Sequence, residues 1–379
     1  MIDDFSKNKN KGNCCGCSAC LNSCPKKAIR MHLDSEGFLY PSIDRDLCVH
    51  CDLCERVCQY KNKNMKHFHN TEYYYGYSKD KSALLESSSG GIFYEIAKKI
   101  IINGGVVYSS AYDYKHNSLH YICSDNLDTL KSTLKSKYIQ AEMDEVFISV
   151  KKNLDFGKSV LFCGTPCCIN GLSLFLKKNY ENLFTIDFIC HGVCSPKVWQ
   201  QYLKESNVNP KLVDFRNKTF GWKNFCIYIR DDNKEVLENK NENVFFKLFL
   251  SNIILRPSCY NCKSKGVNRT SDLTLGDFRG AENFNVQVNE NGTSLIIVNS
   301  IKGDSMLNGI NASLYNCNSS FLKYNKSYYS SCKLPKSRRK VFKNLNKKTL
   351  DYLATKYTRP SWLVIAKQYT KMFLRKFKI

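Results

Sequence analysis

Two runs of four cysteines lie in the first 64 residues of the chain. The first run is Cys14-x2-Cys17-x2-Cys20-x3-Cys24, followed by Pro25, and the second repeats this spacing at Cys48, Cys51, Cys54 and Cys58. Three cysteines at this spacing can hold one [4Fe–4S] cluster from a tight loop, and the fourth then binds the other cluster. The spacing predicts cluster one on Cys14, Cys17, Cys20 and Cys58, and cluster two on Cys48, Cys51, Cys54 and Cys24.

The residues beside these ligands bear on the assignment. Gly16 and Ala19 are small, which permits close approach of the backbone to a cluster. Gln59 follows the second run where proline is usual, and Cys15 is an additional cysteine that we do not assign as a ligand. Zinc sites, or clusters with a purely structural role, are the alternatives, but two complete four-cysteine runs favour paired clusters that carry electrons.

Three more cysteine motifs lie later in the chain. LFCGTPCCINGL (161–172) and CHGVCSP (190–196) each include the end of a strand-like run, and Cys259-x2-Cys262 is half of a metal site. Cys167 and Cys190 are the natural partners of this pair, which would give a third [4Fe–4S] site; a zinc site with His191, or no metal, is the alternative. The remaining cysteines that fit no ligand pattern are read as core residues: Cys123, Cys226, Cys317 and Cys332.

A Ser/Gly segment, SSSGGIF at 87–93, precedes a predicted amphipathic helix. Backbone N–H groups and hydroxyls at such a helix start can bind phosphate, aided by the helix dipole. A helix cap with a flexible turn is the alternative, and the segment by itself favours that alternative.

Three segments must position these motifs. Residues 1–64 form the cysteine-rich module, residues 72–330 alternate strand-like and helix-like runs, and residues 333–379 are strongly basic. Strands are predicted at 72–78, 106–112, 119–124, 159–166 and 183–192, and a hairpin at 225–239. The pattern predicts an α+β protein, in which a small ferredoxin-like two-cluster domain precedes an α/β domain.

Composition limits the function classes. A hydrophobic content of 43% indicates a globular protein, and no run of about 18 apolar residues predicts a membrane span. The N-terminus lacks the apolar region of a secretion signal, so twenty cysteines indicate metal or redox chemistry in the cytoplasm. A net charge of +23 favours acidic partners, although a proteome rich in Lys and Asn would also explain it, and nothing resembles a nucleic-acid-binding fold.

The end of the chain, RPSWLVIAKQYTKMFLRKFKI, places apolar residues at three- and four-residue steps among basic ones. Such a helix can lie on an anionic membrane as a peripheral contact at its inner surface, or it can dock on its own domain. The preceding Lys/Arg run, 336–348, is predicted to be a solvated linker.

Six motifs in order resemble the coenzyme F420 hydrogenase/dehydrogenase beta-subunit family over about residues 72–300. They are SSSGGIF, KSKYIQA (135–141), LFCGTPCCINGL, CHGVCSP, CYNC and DLTLGDFRG. The resemblance implies an α/β domain that binds FAD, with at least one [4Fe–4S] cluster near it. A two-cluster ferredoxin module is a frequent N-terminal fusion in this family.

The resemblance also implies roles for particular residues. Ser88, Ser89, Gly90 and Gly91 would hold flavin phosphate, and Lys135, Lys137, Gln140 and Thr165 would lie near the flavin. Cys167, Cys190, Cys259 and Cys262 would hold the third cluster. His191 is the candidate catalytic proton donor, with a structural histidine as the alternative. Three residues depart from the family pattern: Cys168, Cys194 and Arg279. The last two lie toward the substrate side of the flavin by this resemblance and leave the use of F420 itself open.

These patterns together predict a cytoplasmic iron–sulfur flavoprotein oxidoreductase. Ferredoxin or a similar carrier would deliver electrons to the N-terminal clusters, and the third cluster would pass them to FAD and an unidentified small-molecule substrate. The alternative is a non-catalytic electron-transfer subunit, F420- or ferredoxin-linked, that serves a partner enzyme.

Overall fold

The N-terminal part of the chain is a small module of two helices and a hairpin. The computed structural model describes residues 11–62, 68, 72–284 and 286–358. After a 3-10 turn at Lys11–Asn13, the module contains α1 (Ala19–Ser23), β1 (Ile29–Leu33), β2 (Leu39–Ile43) and α2 (Leu53–Arg56). β1 and β2 pair antiparallel.

The two cysteine runs share one backbone conformation. Ser18 and Asp52 occupy equivalent positions after the CxxC pairs, and their φ angles of 58° and 56° lie in the left-handed region. Each residue precedes a short helix, α1 or α2, that carries the third cysteine of its run. The sequence repeat is therefore also a structural repeat.

Twelve strands and ten helices follow in the described residues. The strands are β3 (Glu72–Ser78), β4 (Val106–Asp113), β5 (Ser118–Ser124), β6 (Ala141–Glu142), β7 (Val160–Gly164), β8 (Leu183–Phe188), β9 (Leu212–Asn217), β10 (Cys226–Arg230), β11 (Glu235–Asn239), β12 (Leu273–Asp277), β13 (Ser294–Val298) and β14 (Ala312–Cys317). The helices are α3 (Lys81–Glu86), α4 (Ile92–Ile102), α5 (Leu127–Thr133), α6 (Val146–Asp155), α7 (Pro166–Leu176), α8 (Pro196–Ser206), α9 (Val244–Leu250), α10 (Ile301–Leu307), α11 (Arg338–Asn344) and α12 (Leu350–Tyr357). Further 3-10 turns lie at Pro257–Asn261, Ala281–Asn283, Ser319–Tyr324 and Lys326–Tyr328.

A mixed nine-stranded sheet forms the centre of the molecule, in the order β14-β3-β13-β12-β8-β7-β4-β5-β6. Its four inner strands, β12, β8, β7 and β4, are parallel to one another. Because the carboxyl ends of parallel strands meet at one edge, the segments after β7 and β8 lie side by side. These segments carry Cys167 and Cys190, so the sheet brings the two cysteine motifs together.

A second, three-stranded sheet of order β11-β10-β9 packs with α8 and α9. Its core is aromatic, with Trp199, Phe215, Phe245 and Phe246 almost completely buried. The helices α11 and α12 close this core through buried apolar side chains such as Val341 and Leu353.

The structure confirms the predicted fold class and differs from two smaller expectations. Residues 336–348 are not a solvated linker, because Arg338, Val341 and Leu345 are buried. Cys226 is buried as expected for a core residue, but Cys123 is exposed. The helix predicted at the end of the chain lies beyond residue 358, outside the described residues. None of the described helices is both long and apolar enough to cross a membrane.

Candidate iron–sulfur and flavin sites

The four cysteines predicted for cluster one lie together in the structure. Burial raises the pKa of the Cys20 thiol, and the nearby thiolates of Cys17, Cys14 and Cys58 raise it further. Burial also raises the pKa of Cys58 to about 11. Thiolates are the form that binds iron, so the positive charge of a bound iron–sulfur core would stabilise these four sulfurs together.

The four cysteines predicted for cluster two line one cavity within the N-terminal module. Cys24, Cys48, Cys51 and Cys54 share this cavity with apolar residues such as Ile29 and Ile43. Every lining residue belongs to the segment 24–54, and Cys51 is exposed. Cluster two would therefore lie close to the protein surface.

The third set of cysteines converges from three separate segments. Cys167 lies in the first turn of α7, Cys190 follows β8, and Cys259 lies in the 3-10 turn at Pro257–Asn261. Burial is the main cause that raises the pKa of the Cys190 thiol. Cys259, Cys167 and Cys262 lie close enough to raise this pKa further. The structure thus brings together the four thiols that the resemblance implies as ligands.

Two features of this third site fit an iron–sulfur cluster. All four donors are cysteine sulfurs, which is the ligand set of [4Fe–4S] clusters. The ammonium of Lys265 donates to the backbone oxygen of Cys190, and the guanidinium of Arg256 lies near Cys259, so these cations would offset the negative charge of a cluster bound here. Among the described residues, no three His, Cys, Asp or Glu side chains are placed to hold a single metal ion.

His191 is held by protein contacts. Its Nε2 lies 2.7 Å from Asn252 Oδ1, and its Nδ1 lies 3.4 Å from Ser327 Oγ. Burial lowers the pKa of its imidazole, so the neutral form is favoured. These contacts suit a positioning residue beside Cys190, and proton donation by His191 stays a prediction.

The Ser/Gly segment before α4 is a loop held by close contacts and hydrogen bonds. A Cβ on Gly90 would meet the Gly76 carbonyl oxygen at 2.3 Å, and Gly91 has a φ of 80°, so both positions favour glycine. Ser89 Oγ donates to the Thr293 carbonyl at 2.9 Å. Ser88 Oγ accepts a 2.6 Å hydrogen bond from the Ser136 backbone, which joins this loop to the predicted Lys135–Lys137 segment.

A group of cations lies beside this loop. Lys218 Nζ donates to the backbone oxygens of Leu84 and Ser89, and burial lowers the pKa of Lys218 to about 7. Burial likewise lowers the pKa of Lys137 to about 7, and its ammonium donates to the backbone oxygens of its own segment. Cations that are held by neutral carbonyls gain from a nearby anion.

Two carboxylates and two arginines complete this group. Lys135 pairs with Asp214, and Arg216 Nη1 lies 3.0 Å from Asp277 Oδ2. Arg279 also pairs with Asp277. Arg216 Nε is buried without a hydrogen-bond partner in the described part of the chain. Sequence reasoning missed Arg216 and Lys218, because they belong to no motif and only their position at the end of β9 brings them to the loop.

The structure does not group all of the predicted flavin residues. Gln140 lies against the N-terminal module, where its Oε1 accepts 3.0 Å hydrogen bonds from the Leu39 backbone and from Arg256 Nη1. The Thr165 hydroxyl lies 3.1 Å from the thiols of Cys167 and Cys168. Only Lys135 and Lys137 therefore lie with the Ser/Gly loop, whereas Gln140 lies at the module boundary and Thr165 at the third cysteine site.

Comparison with known proteins bears on both parts of the chain. Residues 13–62 match the 4Fe-4S dicluster domain family, and residues 157–318 match the family described as the C terminus of the coenzyme F420 hydrogenase/dehydrogenase beta subunit. No curated protein matches the chain significantly. A chain of the xenon-derivatized F420-reducing [NiFe] hydrogenase complex from Methanosarcina barkeri has 12% sequence identity and a TM-score of 0.47, over 70% of this chain and 92% of that chain. The family matches confirm the predicted iron–sulfur module.

Proposed function

Because residues 157–318 match the coenzyme F420 hydrogenase/dehydrogenase beta-subunit family and residues 13–62 match a 4Fe-4S dicluster domain, we propose that this electron-transfer protein is a flavin-dependent oxidoreductase. Electrons from ferredoxin or a similar carrier would enter at the N-terminal clusters and reach a third cluster on Cys167, Cys190, Cys259 and Cys262. Bound FAD would supply the exchange between one-electron and two-electron chemistry with an unidentified substrate.

One observation carries this proposal: the third group of thiols lies directly against the N-terminal module. Gly171 of α7 is so close to Cys17 that a Cβ on this glycine would meet the Cys17 sulfur at 2.8 Å. α7 begins at the segment that carries Cys167. A cluster-one ligand and a third-site ligand therefore belong to neighbouring elements, as an internal electron relay requires.

The group of cations supports the placement of FAD. The Ser88–Gly91 loop, Lys137, Lys218 and Arg216 would lie at the pyrophosphate. The two lysine ammoniums donate only to backbone oxygens and would attract the pyrophosphate by their charge. Arg216 Nε carries an N–H that no described residue accepts. Lys135 and Arg279 are already paired with Asp214 and Asp277, and we assign them to positioning.

A non-catalytic electron-transfer subunit that serves a partner enzyme is the second candidate. The exposed Cys51 and the exposed apolar side chains of Leu47 and Val49 favour it, because they form a surface at cluster two on which another protein can dock. A substrate that oxidises or reduces the isolated, FAD-loaded protein would support the enzyme, and activity that requires a partner chain would support the subunit.

Anaerobic purification followed by iron, sulfide and flavin analysis tests the proposal. About twelve irons and one FAD per chain are expected, with four irons for each of three clusters. The double variant Cys259→Ala/Cys262→Ala should retain about eight irons, and Cys123→Ala, which changes an exposed cysteine, should retain all of them. About eight irons in the unmodified protein would show that the third cluster is absent, and absence of flavin would contradict the enzymatic function.

A further inference from the structure

Cys15, a cysteine without a predicted ligand role, lies between two cluster sites. Its side chain is within hydrogen-bonding reach of Cys17, a predicted ligand of cluster one, and of Cys167, a predicted ligand of the third cluster. A thiol carries one proton, so it donates to one of these sulfurs at a time.

Gln59 fixes the position of this thiol. Its Nε2 lies 3.1 Å from Cys15 Sγ and donates to the Cys167 carbonyl oxygen at 2.8 Å. Its Oε1 accepts hydrogen bonds from Asn170 at 3.2 Å and from Ser264 at 3.1 Å. The amide is almost completely buried, and a proline, which is usual at this position, could make none of these contacts.

Gln59 Nε2 donates both to Cys15 Sγ and to the Cys167 carbonyl oxygen, so it holds the Cys15 thiol beside the sulfur proposed for the third cluster. Gln59 also lies within hydrogen-bonding reach of the Cys17 sulfur. A hydrogen bond to a cluster sulfur stabilises the reduced cluster, whose negative charge is larger, and so raises its reduction potential. Cluster two lies away from this network, since its cavity is lined by residues 24–54 alone.

We propose that Cys15, held by Gln59, is a positioning residue that links the cluster-one loop with the third cluster and raises the reduction potential of that cluster. The proposal rests on the third cluster of the proposed function. It assigns a role to two residues, one of which breaks the usual ferredoxin motif.

An anaerobic redox titration followed by electron paramagnetic resonance tests this role in the full-length, cluster-loaded protein. Cys15→Ala removes the donor, and Gln59→Leu removes the amide that holds it at nearly constant volume. Both variants are expected to keep about twelve irons and to shift the potential of the third cluster to more negative values. Cys15→Ser, which retains a donor, should lie between Cys15→Ala and the unmodified protein.

Glu145→Gln is the control. Glu145 also joins the module to the rest of the chain, through Lys27 at 3.1 Å, but its carboxylate is exposed and contacts neither thiol network. This variant should leave all three potentials unchanged. The proposal is overturned if Cys15→Ala and Gln59→Leu retain all irons with an unchanged third potential, or if only cluster one or two shifts. About eight irons in the unmodified protein would instead show that the third cluster is absent, which would contradict both the proposed function and the role of Cys15.

Discussion

The N-terminal module and the third cysteine site both offer cysteine sulfurs as ligands, but the chain brings these sulfurs together in different ways. In the module, the ligands come from two short runs, and the cavity for cluster two reaches the surface at the exposed Cys51. At the third site, four thiols come from α7, the segment after β8 and a distant 3-10 turn. Burial raises the pKa of Cys259 there to about 12.

This difference separates two tasks. A cluster held within one small module near the surface can meet a carrier protein without affecting the rest of the fold. The proposed third cluster, whose ligands lie far apart in the chain, would also cross-link the segments that bind it, so its assembly would be part of the folding of the larger domain. The first site is suited to exchange with a partner, and the second to transfer inside the protein.

Removal of one ligand from each site should show this difference most strongly. Cys190→Ala is expected to lower the free energy of unfolding by about 4 kcal/mol, since it releases a cross-link between distant segments. Cys51→Ala should cost much less, because its cluster is held within one small module. Denaturant unfolding under anaerobic conditions, followed by circular dichroism, measures both. Equal losses would show that the third site does not hold the domain together.

The stability of the contact between the N-terminal module and the larger domain should depend on one buried cation. Arg256 is completely buried and donates to Cys14 O at 2.8 Å and to Leu39 O at 2.9 Å. Arg256→Leu leaves these oxygens unpaired and should reduce the stability by about 3 kcal/mol in the same unfolding experiment. Arg339→Leu, at an exposed position of α11, is the control and should change little. A comparable loss in both variants would argue against a special role of this boundary.

The proposed binding of FAD by the larger domain should depend on pH, and the N-terminal module should contribute nothing to this dependence. Lys137 and Lys218 have pKa values lowered to about 7, and phosphate binds their protonated forms. Their protons are lost as the pH rises above 7, so the affinity for FAD should fall by about tenfold between about pH 6 and pH 9. Isothermal calorimetry can measure this change. Lys218→Met should flatten the profile, whereas Lys158→Met, at an exposed position, should leave it unchanged.

A surface ion pair between the N-terminal module and the larger domain should contribute least to stability. Lys27 and Glu145 form an ion pair of 3.1 Å with side chains that are 78% and 56% exposed. Glu145→Gln is therefore expected to change the free energy of unfolding by at most about 0.5 kcal/mol. A thermal unfolding experiment at two salt concentrations checks it, and a loss similar to that of Arg256→Leu would contradict the distinction between buried and surface contacts.

The sequence was most informative where structure is local. Spacing alone predicted the module, and hydrophobic patterns located strands such as β3, β7 and β8. The contacts that build the larger sites are nonlocal: Arg216 and Lys218 reach the Ser/Gly loop only because β9 ends there. Gln140 follows the Lys135–Lys137 segment closely in sequence, but the parallel pairing of β5 with β6 carries it to the N-terminal module. Neither position follows from a local pattern.

The most direct test of the relay is the reduction of bound FAD by reduced ferredoxin in a stopped-flow experiment. We expect the flavin absorbance of the unmodified protein to bleach after the iron–sulfur absorbance. In Cys259→Ala/Cys262→Ala with about eight irons and FAD retained, we expect only the iron–sulfur absorbance to change. If the flavin of this variant is reduced as fast as in the unmodified protein, electrons do not pass through the third cluster, and the account is wrong.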